Sequence, residues 1–235
     1  MSAPPAEPSS HAAFDAGSVG SPADADETPP DPDPDPDPEI DQRPPPARAG
    51  RIPGLGAFGP GIERFDKWAD DHLERIRGYR LTDALFNGAT RLGDFSMIWH
   101  IANLIRGTTG IRRRRQIPVL ALTLGVESLI VNQGLKRLFK RKRPTTTGDP
   151  RYEVRRPATS SFPSGHSSAA GFMATLLTGW DGKATAALWW PIAVVVATSR
   201  AFVRIHHASD VVAGIGVGAL LGLIARRVLR RYRLA

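Results

Sequence analysis

The sequence contains no cysteine. Disulfides, thiolate metal sites and a cysteine nucleophile are therefore excluded. Its first residues lack a basic segment followed by an apolar run, so no secretory signal is expected there. Basic side chains are also scarce at that end. Residues 1–51 hold three arginines against eleven Asp and Glu, a balance of −8, whereas the whole chain of 235 residues stands at +8. The remainder carries +16, and a basic body fits a phosphate-bearing partner: nucleic acid, anionic lipid or a phosphorylated substrate. The acidic stretch has no apolar face. Its "PPDPDPDPDPEIDQRPPP" removes backbone donors and repels itself, so residues 1–58 are expected to form a disordered tail. Residues 59–235 are expected to form one membrane-embedded domain.

From Gly61 the pattern changes. "GIERFDKWADDHLERIRG" sets Ile62, Phe65, Trp68 and His72/Leu73 at helical spacing. That is an amphipathic helix, lying either in a membrane interface or against the body. Residues 81–105 are apolar but broken by Asp83, Asn87, Arg91 and Asp94, which gives two short helices or one poor span. Residues 117–135 and 184–203 have the length of a bilayer crossing. Trp189 and Trp190 in the second suit an interfacial belt. Residues 211–225 are apolar, with glycines at 214, 218 and 222 that favour close helix packing in lipid. Residues 166–179 make a shorter, weaker segment. The expected fold is all-α, a polytopic membrane helical bundle of about 4–6 spans.

Charge orients it. Crossings at 117–135, 166–179, 184–203 and 211–225 bring "GIRRRRQ" and "RRVLRRYR" to one side, the cytoplasm by the positive-inside rule. The other side receives residues 136–165 and 204–210. It therefore also holds "KRLFKRKRP", against that rule. A functional need for these cations resolves the conflict.

Three short segments fall on that same side. They are Lys136 with Arg143-Pro144, then Pro163-Ser164-Gly165-His166, then Ser199-Arg200 with His206 and Asp210. Each alone has an ordinary reading: a lipid-facing basic run, a helix start, a cap. Together they hold what phosphoryl transfer requires. Lys136, Arg143 and Arg200 can neutralise phosphate oxygens in the transition state. Ser164 and the Gly165 backbone N–H can donate at a helix start, where the dipole favours an anion. His166 and His206 supply a nucleophile and an acid near neutral pH. Asp210 follows His206 by four residues, so in a helix the two share a face and the carboxylate can fix the imidazole.

This pattern resembles the type 2 phosphatidic acid phosphatase superfamily, to which bacterial acid phosphatases and vanadium haloperoxidases also belong. The family pattern is Lys-x6-Arg-Pro, Pro-Ser-Gly-His and Ser-Arg-x5-His-x3-Asp, and all three blocks match in order. "TRLGDFSMIWH" and "HHASDVVAGIGVGALLG" look like the short membrane members of actinobacteria. The resemblance, over roughly residues 60 to 232, implies that His206 attacks phosphorus and forms a phosphohistidine. It implies that His166 protonates the leaving alkoxide and then helps activate water, and that Asp210 orients His206. Lys136, Arg143, Ser164, Gly165 and Arg200 would hold the phosphate. No metal or cofactor is implied. The expected partners are a lipid phosphate substrate and membrane lipids, not nucleic acid.

The neighbours divide. His207 adjoins His206, but the spacing selects His206. Arg137, Lys140, Arg141 and Lys142 form either a basic face toward headgroups or an attractor for anionic substrate. Glu127 and Asn132 read most simply as helix-to-helix hydrogen bonding, and Asp94 and His100 receive no role. Two other functions compete with a lipid-phosphate phosphatase. One is a non-catalytic basic membrane protein that binds anionic lipid or nucleic acid, which leaves His166, His206 and Asp210 without a purpose. The other is a vanadate-dependent peroxidase, against which the apolar spans and small size count.

Overall fold

A computed structural model describes residues 58–145, 149–152, 154 and 159–232. Apart from Phe58, the expected tail lies outside the described residues. Among the described residues all regular structure is helical. Helices α1 (Gly59–Glu74), α2 (Arg80–Gly93) and α3 (Met97–Thr108) come first. Residues 81–105 thus take the two-helix reading. A 3₁₀ turn at Asp94–Ser96 makes the break, with Phe95 and Ser96 both left-handed at φ 53° and 58°.

α4 (Ile111–Leu129), a π-helical segment (Ile130–Leu135) and the short α5 (Lys136–Leu138) follow. They form one continuous rod of 28 residues. α6 (Gly165–Asp181), α7 (Ala186–Phe202) and α8 (Ala208–Arg231) complete the order. By length and apolarity three helices can cross a membrane: the 111–138 rod, the Lys183–Phe202 stretch that contains α7, and α8. α6 has 17 residues, about 25 Å at the helical rise. It is short for a crossing and lies at the centre, with every residue from Ser167 to Leu177 buried.

The centre is held by packing and close approach, since lipid supplies no hydrophobic drive between helices. Phe172, Met173, Leu176 and Leu177 of α6 mesh with Trp99, Leu120 and Val196. Trp189 belongs to this core at 8% exposure, so it points inward rather than into an interfacial belt. Gly214, Gly218 and Gly222 of α8 face α6 within the same chain. A Cβ on Gly214 would stand 2.6 Å from the Ser164 carbonyl oxygen, and one on Gly218 would collide with the Ser168 carbonyl. At the end away from Lys136, Arg106 of α3 reaches Asp181 of α6 at 2.7 Å and Gln116 of α4 at 2.6 Å.

α1 turns its charged side to the body and its aromatic side outward, which is the interface reading of the two. Phe65 and Trp68 are 39% and 56% exposed, and the buried residue of this helix is Asp66. The carboxylates of Asp66, Asp70 and Glu74 turn inward to arginines. Arg204, left-handed at φ 57° where the chain reverses after α7, bonds Asp70, Glu74 and Asp149 at 2.9–3.3 Å. Fixed cations decide the buried face here, and the aromatic face stays free for an apolar surrounding.

Candidate active site

A cavity of about 670 Å³ opens at one end of the bundle, lined by the 111–138 rod, the start of α6, the end of α7, His206 ahead of α8, and the turn between α2 and α3. Lys136, Gly165, His166, Arg200 and His206 line it, and so does Asp94. Five of the eight residues singled out in the sequence therefore share one cavity, although they come from distant parts of the chain. Ser164, Arg143 and Asp210 stand behind this lining.

α6 starts at the cavity because Ser164 caps it. Its hydroxyl accepts from the Ser167 backbone N–H at 3.4 Å and from the Ser167 hydroxyl at 2.9 Å. Ser164 is fully buried, so it serves the cap in this structure. The Ser164 N–H donates to the Asp210 carbonyl at 3.1 Å, joining the starts of α6 and α8. Gly165 leaves room for two polar side chains: a Cβ there would stand 2.8 Å from Asn132 Oδ1 and 3.5 Å from Lys136 Nζ. The Lys136 ammonium thus approaches the N-terminus of α6, two positive elements facing one cavity.

Arg200, 1% exposed, donates from Nη1 to Thr90 Oγ1 at 2.6 Å. Its carbonyl accepts the N–H groups of Ile205 and His206 at 3.2 and 3.1 Å. That turn fixes the His206 backbone. Arg143 Nη1 donates to the Ile205 carbonyl at 2.8 Å and lies 3.1 Å from His206 Nε2. Nε2 therefore faces a cation with its lone pair, and the ring proton belongs on Nδ1. Nδ1 lies 3.5 Å from both Asp210 Oδ2 and Ser161 Oγ. Burial, with Arg143 and Arg200 nearby, holds His206 below the usual imidazole range, against the opposing pull of Asp210.

The helical argument for His206 and Asp210 needs correcting. His206 lies before α8, and Asp210 lies in its first turn, accepting the His207 N–H at 2.9 Å as a cap. The two meet because the chain folds back at the cap, not because they share a helical face. Asp210 also accepts from Ser161 and Arg141.

Sequence reasoning missed a layer of partners. Arg141 is paired inward with Asp66 at 2.6 Å and with Asp210, so it is neither a headgroup anchor nor a substrate attractor. Arg204 is taken by acidic side chains. His207 Nε2 lies 3.3 Å from the Lys142 carbonyl. Glu127 accepts from Ser168 across α4 and α6, and Asn132 donates to Ser128 at 3.0 Å. Asp94 Oδ1 lies 3.1 Å from His166 Nε2 and 3.8 Å from Arg200 Nη1. The sequence showed it as a carboxylate interrupting an apolar run, inside the "TRLGDFSMIWH" segment, and gave it no role.

The PAP2 superfamily model matches residues 117–233. Decaprenylphosphoryl-5-phosphoribose phosphatase of Mycobacterium tuberculosis is 32% identical over 147 residues, 62% of this chain and 79% of that protein. The chain belongs to the PAP2 superfamily. A second relative, the putative undecaprenyl-diphosphatase YbjG of Escherichia coli, is 27% identical over 121 residues, 51% of this chain and 60% of its own length. Among solved structures, the transmembrane PAP2 type phosphatidylglycerolphosphate phosphatase of Bacillus subtilis superposes with a TM-score of 0.59 at 24% identity, covering 74% of this chain and 89% of that one. LpxE of Aquifex aeolicus gives 0.52 at 21%, covering 70% and 94%. These two likenesses carry the helical fold. With its family and relatives, the chain is a phosphatase, and its apolar helices make it a membrane protein. That removes the non-catalytic alternative.

Proposed function

We propose that this PAP2 phosphatase hydrolyses the phosphomonoester or diphosphate of a membrane lipid through a phosphohistidine on His206. Polyprenyl-linked substrates, such as a decaprenylphosphoryl ribose phosphate or a polyprenyl diphosphate, are favoured by the names of the relatives. Phosphatidic acid is the third candidate. The observation that carries the reading is the opening of Lys136, His166, Arg200 and His206 onto one cavity.

In the first step the His206 Nε2 lone pair attacks phosphorus. An N–P bond forms, the P–O bond to the lipid breaks, and the leaving oxygen takes a proton from His166. Asp210 at Nδ1 stabilises the positive ring that results. Water then attacks phosphorus, the N–P bond breaks, and the proton lost by water returns to His166. Lys136, Arg143, Arg200 and the N–H of Gly165 stabilise the equatorial oxygens, with Ser164 fixing the start of α6.

The rod, α6, α7 and α8 give a multi-pass chain with the site on the non-cytoplasmic side. The arginines at 112–115 and those near the end of α8 both lie at the opposite ends of their helices from the site residues. The positive-inside rule places that end in the cytoplasm.

The test uses the full chain in detergent with a chelator present. Inorganic phosphate release is measured from a panel of lipid phosphates, for wild type and His206→Ala. Release by wild type alone is expected. Release that persists in the variant contradicts the nucleophile, and release stopped by chelator contradicts the metal-free chemistry.

A further inference from the structure

We infer that Asp94 is a specificity-determining residue, favouring a phosphate ester whose leaving group is uncharged over a diphosphate, whose leaving group is itself a phosphate. The inference rests on the reading above, with His166 as the acid at the leaving oxygen.

Three observations fix the Asp94 carboxylate beside His166, and with His166 as the acid that puts it next to the leaving oxygen. It lines the cavity, and its Oδ1 lies 3.1 Å from His166 Nε2. The backbone holds it there: Phe95 and Ser96, which follow it, are both left-handed at φ 53° and 58°. Two consecutive non-glycine residues in that region are uncommon and cluster at functional sites. Gly93, which precedes it, is shaped to the same imidazole. A Cβ on Gly93 would stand 2.5 Å from His166 Cδ2 and 3.2 Å from Nε2. The turn and the ring are built against each other.

The chemistry follows from charge. When a phosphomonoester is cleaved, the leaving alkoxide takes the His166 proton and becomes a neutral alcohol beside Asp94. When a diphosphate is cleaved at its terminal phosphorus, the leaving group is a phosphate that stays anionic after it takes that proton. It must then sit against a carboxylate. Like charges at such range repel strongly in a partly desolvated cavity. The rest of the lining points the same way. Among the described residues, the Lys and Arg side chains that line the cavity are Lys136 and Arg200, which the first phosphate engages. Ser96, Ser128 and Gln133 in the lining are uncharged and suit hydroxyls on a neutral leaving group.

The test compares wild type with Asp94→Asn and Asp94→Ser, each as the full chain in detergent. Calorimetry gives the affinities for inorganic phosphate and inorganic pyrophosphate, and kinetics gives kcat/KM for phosphatidic acid and farnesyl diphosphate. Both neutral variants are expected to tighten pyrophosphate over phosphate by about tenfold, and to shift the kcat/KM ratio toward the diphosphate by about as much. Ratios that stay within about twofold of wild type overturn the inference. Should neither variant fold, wild type decides: pyrophosphate bound about tenfold tighter than phosphate overturns it, and equal or weaker binding supports it. Absence of turnover on both lipids sinks the phosphatase reading separately, because the two affinities still report on Asp94.

Discussion

Asp66 in α1 and Asp210 in α8 grip one guanidinium, that of Arg141. Asp66 also accepts the Ser209 N–H at 2.7 Å and the Ser209 hydroxyl at 2.9 Å. The carboxylate that faces His206 is thus held by a cation that a helix at the other end of the domain holds in turn. The side chains of Asp66, Arg141 and Asp210 are 8%, 9% and 0% exposed, so they interact through protein rather than water.

Replacing Arg141 by Met leaves two buried carboxylates without a counter-charge. The expected cost is about 3 kcal/mol, read as a lowered thermal midpoint in detergent, with a fall in phosphate release. Adding Asp66→Asn to that variant removes one stranded charge and should restore part of the loss. Strictly additive effects would show that the three do not act as a unit.

Gly218 and Gly216 make a matched pair. A Cβ at 218 collides with the Ser168 carbonyl, whereas nothing lies within 4 Å of one at 216. Gly218→Ala should separate α6 from α8 and cost about 1–3 kcal/mol, while Gly216→Ala stays near neutral. Equal midpoints for the two variants would mean that α8 does not rest on α6 at this position.

Acid should loosen the arginine cluster beneath α1. Hydrogen bonds from Arg204 and Arg77 hold Asp70 below its ordinary value, although its burial acts the other way. Arg151 and Arg77 do the same to Glu74, and Arg151 does it to Asp149. A lowered folded-state value means that the unfolded chain binds more protons on acidification. The stabilisation is therefore full above about pH 4 and is lost as pH falls further. Midpoints measured from pH 6 to pH 3 should fall only at the acid end, and Arg204→Met should flatten that fall. An unchanged profile in the variant would remove the cluster from the account.

Arg200 offers a test of geometry at constant charge. Its fork reaches Thr90 while it faces the cavity, and lysine cannot reproduce both contacts. Arg200→Lys should lower kcat/KM about 100-fold. Arg137→Lys, at an exposed position bonded to Gln133, should stay within about twofold. Little loss in either variant would point to general charge rather than a built cradle.

Much of this was legible in the residues themselves. Apolar length announced the rod, α7 and α8, and the glycines at 214, 218 and 222 announced a close helix contact. Of the eight candidate residues that the three blocks and their family resemblance singled out, five line one cavity. What stayed hidden depended on partners distant in the chain. The apolar spacing of α1 left an interface helix and a packed helix as equal readings, and what decides between them is Arg141, Arg77 and Arg204, which draw the acidic face inward. The same holds for Asp94: its meaning lies in the position of His166, which no local pattern discloses. His206 and Asp210 were rightly paired for a helical reason that the cap at His207 replaces.

The central claim is a covalent bond between phosphorus and His206. Phosphorus-radiolabelled lipid phosphate, mixed with the purified full chain and denatured within milliseconds in alkali, should leave label on the protein in a peptide containing His206. His206→Gln should carry none, and His166→Ala should retain its label longer than wild type because water is no longer activated. Product release with label absent from every variant, or label carried on a different residue, would contradict the account.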